Sequence, residues 1–144
     1  MIADVVGPCT CFAIRRAARH VTQAYDKCLS PSGLRTTQFS LLSRLALTGP
    51  RSIQLLAREM GLDRTTLGRN LRPLERAGLV TIGVDAQDRR GRALEITAEG
   101  KARLREAQGL WAGAQARFLA VYGAERAQAL HATLDGLTEV DLGV

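Results

Sequence analysis

The chain has 144 residues, 46% of them hydrophobic and 24% charged, a balance that suits one folded domain or one protomer of an oligomer and excludes a disordered or fibrous protein. Residues 1–92 carry fifteen basic and seven acidic side chains, whereas residues 93–144 carry five and seven. All nine basic residues between 51 and 92 are arginines, whose planar fork suits phosphates and guanine edges, so the charge pattern indicates a nucleic-acid partner.

The sequence lacks the signatures of several other classes of protein. No apolar run reaches the ~18 residues that a membrane span needs, and the N-terminal segment lacks the basic-then-apolar order of a secretory signal, so we predict a cytoplasmic protein. The motifs HExxH and GxSxG and a phosphate-binding glycine loop are missing, so we expect neither an enzyme nor a cofactor. His20 and His131 have no second ligand at metal spacing, so no metal site is predicted.

The first two predicted helices are amphipathic. Over residues 10–29 a 3-4-3-4-3 spacing forms one apolar stripe, which consists of Cys11, Ile14, Ala18, Val21, Tyr25 and Cys28. The segment SPSG at 30–33 ends this helix. A second helix is predicted to begin near Thr36 or Thr37, either of which can cap it, and to run to Gly49. Its predicted buried face is Phe39, Leu42, Leu45 and Ala46.

Residues 52–77 indicate a helix-turn-helix. Ser52 is a good N-cap for its first helix, and Ala57 with Gly61 permits a tight turn and close crossing of the two helices. Asp63 is predicted to cap the second helix, and Gly78 to close it. The inward face of that helix is predicted to be Leu67, Leu71 and Leu74.

Two residues of that second helix depart from helical preference. Gly68 costs roughly 1 kcal/mol relative to alanine, and Pro73 removes a backbone hydrogen bond and is expected to bend the helix. The glycine has two interpretations, clearance for a DNA backbone or simple tolerance, and the sequence leaves both open.

A hairpin with an arginine-rich loop follows. Residues 79–84 favour a strand, and Leu94 with Ile96 gives the alternation of a second one. The loop DAQDRRGR between them is too charged to belong to a core. We interpret it as a wing with Arg89, Arg90 and Arg92 at or near its tip, the alternative being a solvated loop without a partner.

The C-terminal third predicts two further helices. Residues 98–122 carry a second 3-4-3-4-3 stripe, which consists of Leu104, Ala107, Trp111, Ala114, Phe118 and Val121. The last helix follows Gly123 and carries Ala127, Leu130, Leu134 and Leu137. Stripes of this kind outside the DNA-binding unit need a surface to be buried against, which a dimer explains better than a monomer.

The segment LLAREMGLDRTTLGRNLRPLERAGLV, followed by DRRGRALEITAEG, resembles the MarR-type transcriptional regulators. In this region that family has a helix-turn-helix, a wing with Asp-x-Arg, and a Leu-Thr-x-x-Gly-like entry to a long dimerisation helix. The matching positions are Asp88, Arg90, Ile96, Thr97 and Gly100, with isoleucine in place of the leucine. The segment RRAARHVTQAYDKCLSPSGLRTTQFSLLSRL is also similar to the family, so the resemblance covers nearly the whole chain.

The resemblance implies a mainly α fold with a small β-wing. Residues 1–144 would form one protomer, with a winged helix-turn-helix at 36–97 and a helical dimerisation region at 1–35 and 98–144 that intertwines in a homodimer. Each recognition helix would enter a major groove of a pseudo-palindromic operator, and each wing arginine a flanking minor groove. Members of the family usually repress their own and adjacent genes until a small molecule or an oxidant releases them.

The candidate DNA contacts lie on three elements. The N-terminal turns of a recognition helix reach base edges or phosphates, wing arginines suit the negative potential of a narrow minor groove, and a helix N-terminus suits a phosphate. Asp88 is interpreted as a residue that steadies an arginine of the wing. The full set is Arg51, Ser52, Arg64, Thr65, Thr66, Arg69, Asn70, Arg72, Asp88, Arg89, Arg90 and Arg92.

Candidates for sensing are of two kinds. The family's ligand cleft would be lined by Arg16, His20, Tyr25, Phe39, Leu42 and Trp111, each of which has ordinary packing as its alternative. A thiol-based redox or metal-responsive repressor would instead use Cys9, Cys11 and Cys28, although Cys11 and Cys28 lie on an apolar stripe, where a thiol behaves as a small hydrophobe. A DNA-packaging protein without sequence preference is a further alternative.

Overall fold

The computed structural model describes residues 7–144, so the part of the predicted dimerisation region at residues 1–6 lies outside the described residues. The fold is mainly α, as predicted, with one small sheet. The elements in chain order are α1 (Thr10–Leu29), a short 3-10 helix (Ser30–Ser32), α2 (Thr36–Thr48), β1 (Arg51–Ser52), α3 (Ile53–Met60), α4 (Arg64–Arg76), β2 (Val80–Val84), β3 (Arg92–Ile96), α5 (Ala98–Tyr122) and α6 (Ala124–Thr138).

Side-chain caps fix where the helices of the DNA-binding unit begin. Ser52 accepts a hydrogen bond from the backbone N–H of Leu55, and Asp63 accepts one from Thr66, so both predicted N-caps are confirmed. Gly61 ends α3 with φ 64°, the left-handed conformation that a glycine adopts without strain. These caps set where α3 and α4 begin.

The start of α2 differs from the prediction. Arg35 is its N-cap, not Thr36 or Thr37, and the backbone N–H of Arg35 donates to Gln38 Oε1 at 3.0 Å. The backbone N–H and the hydroxyl of Thr36 both donate to Asp26 Oδ1, each at 2.7 Å. A carboxylate of α1 therefore caps α2, a long-range contact that a search for local caps does not detect.

The sheet has three antiparallel strands in the order β1-β3-β2. The predicted hairpin is confirmed, with Val80 opposite Ile96 and Val84 opposite Arg92. The two-residue strand β1 was not predicted, because two residues show no periodicity; Arg51 pairs there with Leu94. Because β1 pairs with β3, the N-terminus of α3 is held next to the hairpin.

The core lies where α2, α4 and the sheet meet. Leu42, Leu45 and Leu56 are at most 1% exposed, and Leu94 of β3 is fully buried beside them. Two details of the α2 face were wrong: Ala46 is exposed, and Leu41, which was not assigned to the core, is fully buried. The buried arc of α2 is displaced from the predicted stripe because the helix packs against several elements, including α5 and β3.

Gly100 joins the sheet to the long helix α5. A Cβ atom at this position would overlap the carbonyl oxygen of Leu79 and stand 2.8 Å from Ile96 Cγ1. Thr97 caps α5 by accepting from the backbone N–H of Gly100 at 3.0 Å, and its hydroxyl donates to Gly78 O at 2.6 Å. The junction between wing and α5 is therefore packed backbone against backbone.

The apolar stripes of the terminal helices are partly exposed in one protomer. On α1, Phe12 is 58% and Ile14 39% exposed; on α5, Val121 is 83% exposed; on α6, Leu134 is 43% and Leu137 38% exposed. Leu104, Ala107 and Ala114 of α5 and Ala127 of α6 are buried. Over residues 7–144, no helix is both long and apolar enough to cross a membrane.

Candidate nucleic-acid interface and adjoining cleft

The orientation of α4 is set by its leucines. Leu67, Leu71 and Leu74 are at most 2% exposed and face the core, as predicted. The opposite side of the helix is consequently turned to solvent, and it carries the exposed side chains Arg64, Thr65, Arg69 and Arg72. A short helix with three arginines on its accessible face can contact phosphates and base edges.

Thr66 and Asn70, two further candidates on α4, make hydrogen bonds within the helix. Thr66 donates to the Asp63 carboxylate through its backbone N–H, at 3.2 Å, and through its hydroxyl. The hydroxyl bond of Thr66, followed by the backbone bond, lowers the pKa of Asp63 below its ordinary value, because both bonds favour the ionised carboxylate. Asn70 Nδ2 donates one of its two N–H groups to Thr66 O at 2.9 Å, so the amide keeps its second N–H and its Oδ1 for a base edge.

The wing loop is organised by its own backbone. The N–H of Asp85 donates to Gly91 O at 3.1 Å, and that of Gly91 donates to Asp88 O at 2.9 Å. Asp88 Oδ1 accepts from the backbone N–H of Arg90 at 3.0 Å. Asp88 thus steadies the backbone of Arg90 rather than its guanidinium. The side chains left exposed at the tip and at its exit are Arg89, Arg90 and Arg92.

Arg51 and Ser52 lie on β1, at the N-terminus of α3. Ser52 Oγ accepts from the backbone N–H of Leu55 at 3.1 Å. Arg51 is half-buried, and its Nε lies 3.5 Å from Glu59 Oε1. This Nε is buried and has no hydrogen-bond partner within the described part of the chain. Glu59 was not singled out in the sequence, because nothing near it in the chain indicates that it faces a cation.

A cleft of about 620 Å³ lies beside this unit, between α2, α3 and α5. One wall is aromatic: the rings of Phe39 and Trp111 stack with centroids 6.0 Å apart and an interplanar angle of 19°. Another wall is an ion pair, in which Arg44 Nε donates to Glu59 Oε2 at 3.0 Å. The remaining lining residues are Ser40, Ser43, Leu47, Met60, Gln108 and Ala112.

Two of the six residues predicted for a ligand cleft, Phe39 and Trp111, line this one. Leu42 is fully buried in the core, and Arg16 and His20 are exposed on α1 outside the lining set. The Tyr25 hydroxyl donates to Gln115 Oε1, and burial, followed by the nearby Cys28, raises the Tyr25 pKa. The polar groups of the cleft, Arg44 and Glu59, were missed because neither belongs to a recognisable motif.

The three thiols do not form a cluster with metal-ligand character. Cys9 and Cys11 are exposed at the start of α1, where Cys9 Sγ accepts from the backbone N–H of Phe12 at 3.4 Å, and Cys28 is half-buried. From residue 7 to residue 144, no three His, Cys, Asp or Glu side chains come together as a candidate metal site. The redox role of these thiols remains a prediction.

The chain resembles known DNA-binding regulators along nearly its whole length. A family model described as "MarR family" matches residues 32–91. The M. tuberculosis transcriptional regulator MosR, solved in complex with DNA, is 40% identical, with a TM-score of 0.75 over 92% of this chain and 100% of that one. MosR has also been solved separately, with a TM-score of 0.77. No curated protein matches in a sequence comparison.

A more distant likeness is to the transcriptional repressor CouR. Bound to a 23-mer DNA duplex, CouR is 28% identical with a TM-score of 0.81, and the match covers 91% of this chain and 93% of that one. Bound to p-coumaroyl-CoA, it matches with a TM-score of 0.82 and 25% identity over 92% and 94% of the two chains. The winged helix-turn-helix geometry, the family match and the 40% identity together establish that this chain belongs to the MarR family of transcriptional regulators.

Proposed function

We propose that this regulator is a cytoplasmic homodimeric repressor that binds a pseudo-palindromic operator and is released by a small molecule in the cleft. The observation that carries the proposal is the arginine face of α4, turned away from three buried leucines and followed by a wing with exposed arginines. Two elements of one unit thereby present positive charge, one suited to a major groove and the other to a flanking minor groove.

The homodimer is supported by the exposed stripes of the terminal helices. Val121 ends the near-heptad stripe of α5, and Leu134 and Leu137 belong to the stripe of α6; each of the three is more than a third exposed in one protomer. Apolar surface of this extent in a folded chain marks an interface. A second copy of the chain would bury it and would hold two recognition helices at a fixed separation.

Release by a ligand is supported by the position of the cleft. It lies between α5, which belongs to the proposed dimerisation region, and α2 with α3, which belong to the DNA-binding unit. The MarR-family fold is compatible with both kinds of ligand, since CouR has been solved with a DNA duplex and with p-coumaroyl-CoA. A molecule that binds the cleft better at a DNA-incompetent spacing of the two recognition helices shifts the population away from DNA.

The test is selection of a duplex from a random library by the wild-type protein, followed by competition at physiological salt. We expect a pseudo-palindromic duplex, and competition by that duplex at least ~1000-fold better than by a scrambled one of the same composition. Equal competition would contradict sequence-specific binding and would favour the packaging alternative.

Replacing Arg90 with alanine tests the wing. We expect the dissociation constant for the selected duplex to rise about tenfold, because each protomer loses one minor-groove contact. Arg105→Ala is the matched control, since it removes an equal charge from an exposed position on α5. Undiminished affinity of Arg90→Ala would refute the wing assignment.

A further inference from the structure

Glu59 stands between two arginines that lie on different elements, α2 and β1. Its Oε2 accepts from Arg44 Nε at 3.0 Å, and Arg44 lies on α2 at the wall of the cleft. Its Oε1 lies 3.5 Å from Nε of Arg51, which is on β1, the strand that pairs with β3 of the wing and leads into α3. One carboxylate therefore connects the wall of the cleft with the strand that pairs with the wing.

The two arginines are held unequally by this carboxylate. Arg44 has a hydrogen bond of good length, whereas Arg51 Nε is buried and is not hydrogen-bonded to any described residue. Both form their ion pairs with Glu59, whose side chain is only 17% exposed. One negative charge cannot neutralise two guanidinium groups, so Arg51, with 31% of its side chain exposed, keeps positive charge for a phosphate.

The unused hydrogen-bonding capacity of the cleft belongs to Arg44. Among the residues that line the cleft, Arg44 is the one cation and Glu59 the one anion. Both oxygens of Glu59 face arginines, whereas Arg44 commits only Nε and its side chain is 41% exposed. The four other guanidinium N–H groups can donate to a carboxylate. Beside Arg44, the stacked rings of Phe39 and Trp111 offer a flat apolar surface.

We propose that Glu59 couples the cleft to DNA binding, and that the ligand it responds to is a carboxylate on a flat apolar body. The ligand carboxylate binds the free N–H groups of Arg44 and competes with Glu59 for its positive charge. Glu59 then pairs more closely with Arg51, and the charge of Arg51 is withdrawn from the DNA backbone. Ligand and DNA thus favour opposite states of one ion-pair network, so each weakens the binding of the other. The inference rests on the proposed function, because it presumes operator binding and a ligand in the cleft.

The first experiment compares two probes of equal shape on the wild-type protein and its selected duplex. We expect 2-naphthoate to raise the dissociation constant of the duplex about tenfold, and the neutral 2-naphthamide to raise it less than twofold. With naphthoate present, the slope of log Kd against log salt should also fall by about 0.9 for each protomer that loses a phosphate contact. A purely structural role for the ion pairs would not change this slope.

The second experiment removes the charge of Glu59 and keeps its shape. For Glu59→Gln we expect duplex affinity to rise about threefold, because the charge of Arg51 is no longer offset. Calorimetry should still show naphthoate binding, but release should fall below twofold with no change in salt slope. Glu106→Gln, an equal change of charge at an exposed position on α5, is expected to keep the tenfold release. Arg44→Gln should abolish naphthoate binding.

The outcomes separate this inference from the proposed function. If naphthamide releases the duplex as well as naphthoate does, if naphthoate does not bind, or if Glu59→Gln is released like the wild type, the coupling through Glu59 is wrong. In each case sequence-specific binding of the selected duplex would leave the DNA-binding function intact. Sequence-specific DNA binding itself fails only where no duplex is preferred over its scrambled counterpart.

Discussion

Most large apolar side chains of the segment 36–97 are buried within one protomer, with Leu47 and Val84 as exceptions, whereas many of those on α1, α5 and α6 are exposed. Leu67 and Leu94, from the first region, are fully buried; Phe12 and Val121, from the second, are 58% and 83% exposed. The DNA-binding unit therefore has its own core, while the terminal helices need a surface that one protomer does not supply. Under the proposed function, the first region would bind DNA and the second would set the distance between two such units in a dimer.

The largest effect is expected where the two regions meet, at Gly100. For Gly100→Ala we expect a loss of about 3 kcal/mol in the free energy of unfolding, because the added Cβ would overlap the Leu79 carbonyl, which is backbone and cannot rotate away. Urea denaturation followed by circular dichroism measures it. Gly109→Ala is the matched control on the same helix, where a Cβ meets nothing within 4 Å and should stabilise the helix slightly.

If Gly100→Ala were as stable as the wild type, the wing and α5 would not be packed as closely as the structure shows. The wing and α5 would then not be rigidly joined. A loose junction could not hold the wing at a fixed angle to the proposed dimerisation helices. The control excludes a general intolerance of α5 to alanine.

A smaller effect is expected from breaking the surface that the terminal helices present. Leu134→Glu places a charge on the exposed stripe of α6, so we expect a monomer in sedimentation and a loss of about 100-fold in affinity for the selected duplex, since two half-sites are no longer held together. Ala132→Glu adds the same charge to the same helix off the stripe and should remain dimeric. A dimeric Leu134→Glu with full affinity would contradict the proposed interface.

The features that the sequence predicted correctly are those set by residues close together in the chain. The caps Ser52 and Asp63, the inward leucines of α4 and the β2–β3 hairpin are confirmed, because each depends on residues a few positions apart. Local spacing carries that information. The exposure of the terminal stripes was anticipated for the same reason, since a periodic face without a neighbouring element to cover it can be recognised in the sequence.

Contacts between distant residues were not predictable in this way. Asp26 caps α2 from ten positions away, Arg44 and Glu59 meet across fifteen, and β1 has only two residues. None of these three features produces a periodic pattern in the sequence. Arg44 and Glu59, taken from the sequence alone, look like ordinary charged residues on solvent-exposed helix faces. The resemblance to the family predicted Phe39 and Trp111, the aromatic wall of the cleft. The polar wall, Arg44 and Glu59, became visible only in the folded structure.

The smallest effect separates two interpretations of Gly68 that the sequence left open. A Cβ at Gly68 meets nothing within 4 Å, and the residue lies one helical turn from both Arg64 and Arg72, on the proposed DNA-facing side of α4. For Gly68→Ala we expect the free energy of unfolding to rise by about 1 kcal/mol, since alanine favours the helix, and the affinity for the selected duplex to fall about threefold, since the methyl group holds the helix off the phosphates. Denaturation and duplex titration on the same sample give the two quantities. A stabilised variant with unchanged affinity would mean that the glycine is merely tolerated, and that the DNA-binding unit, like the terminal helices, could be made more stable without loss of function.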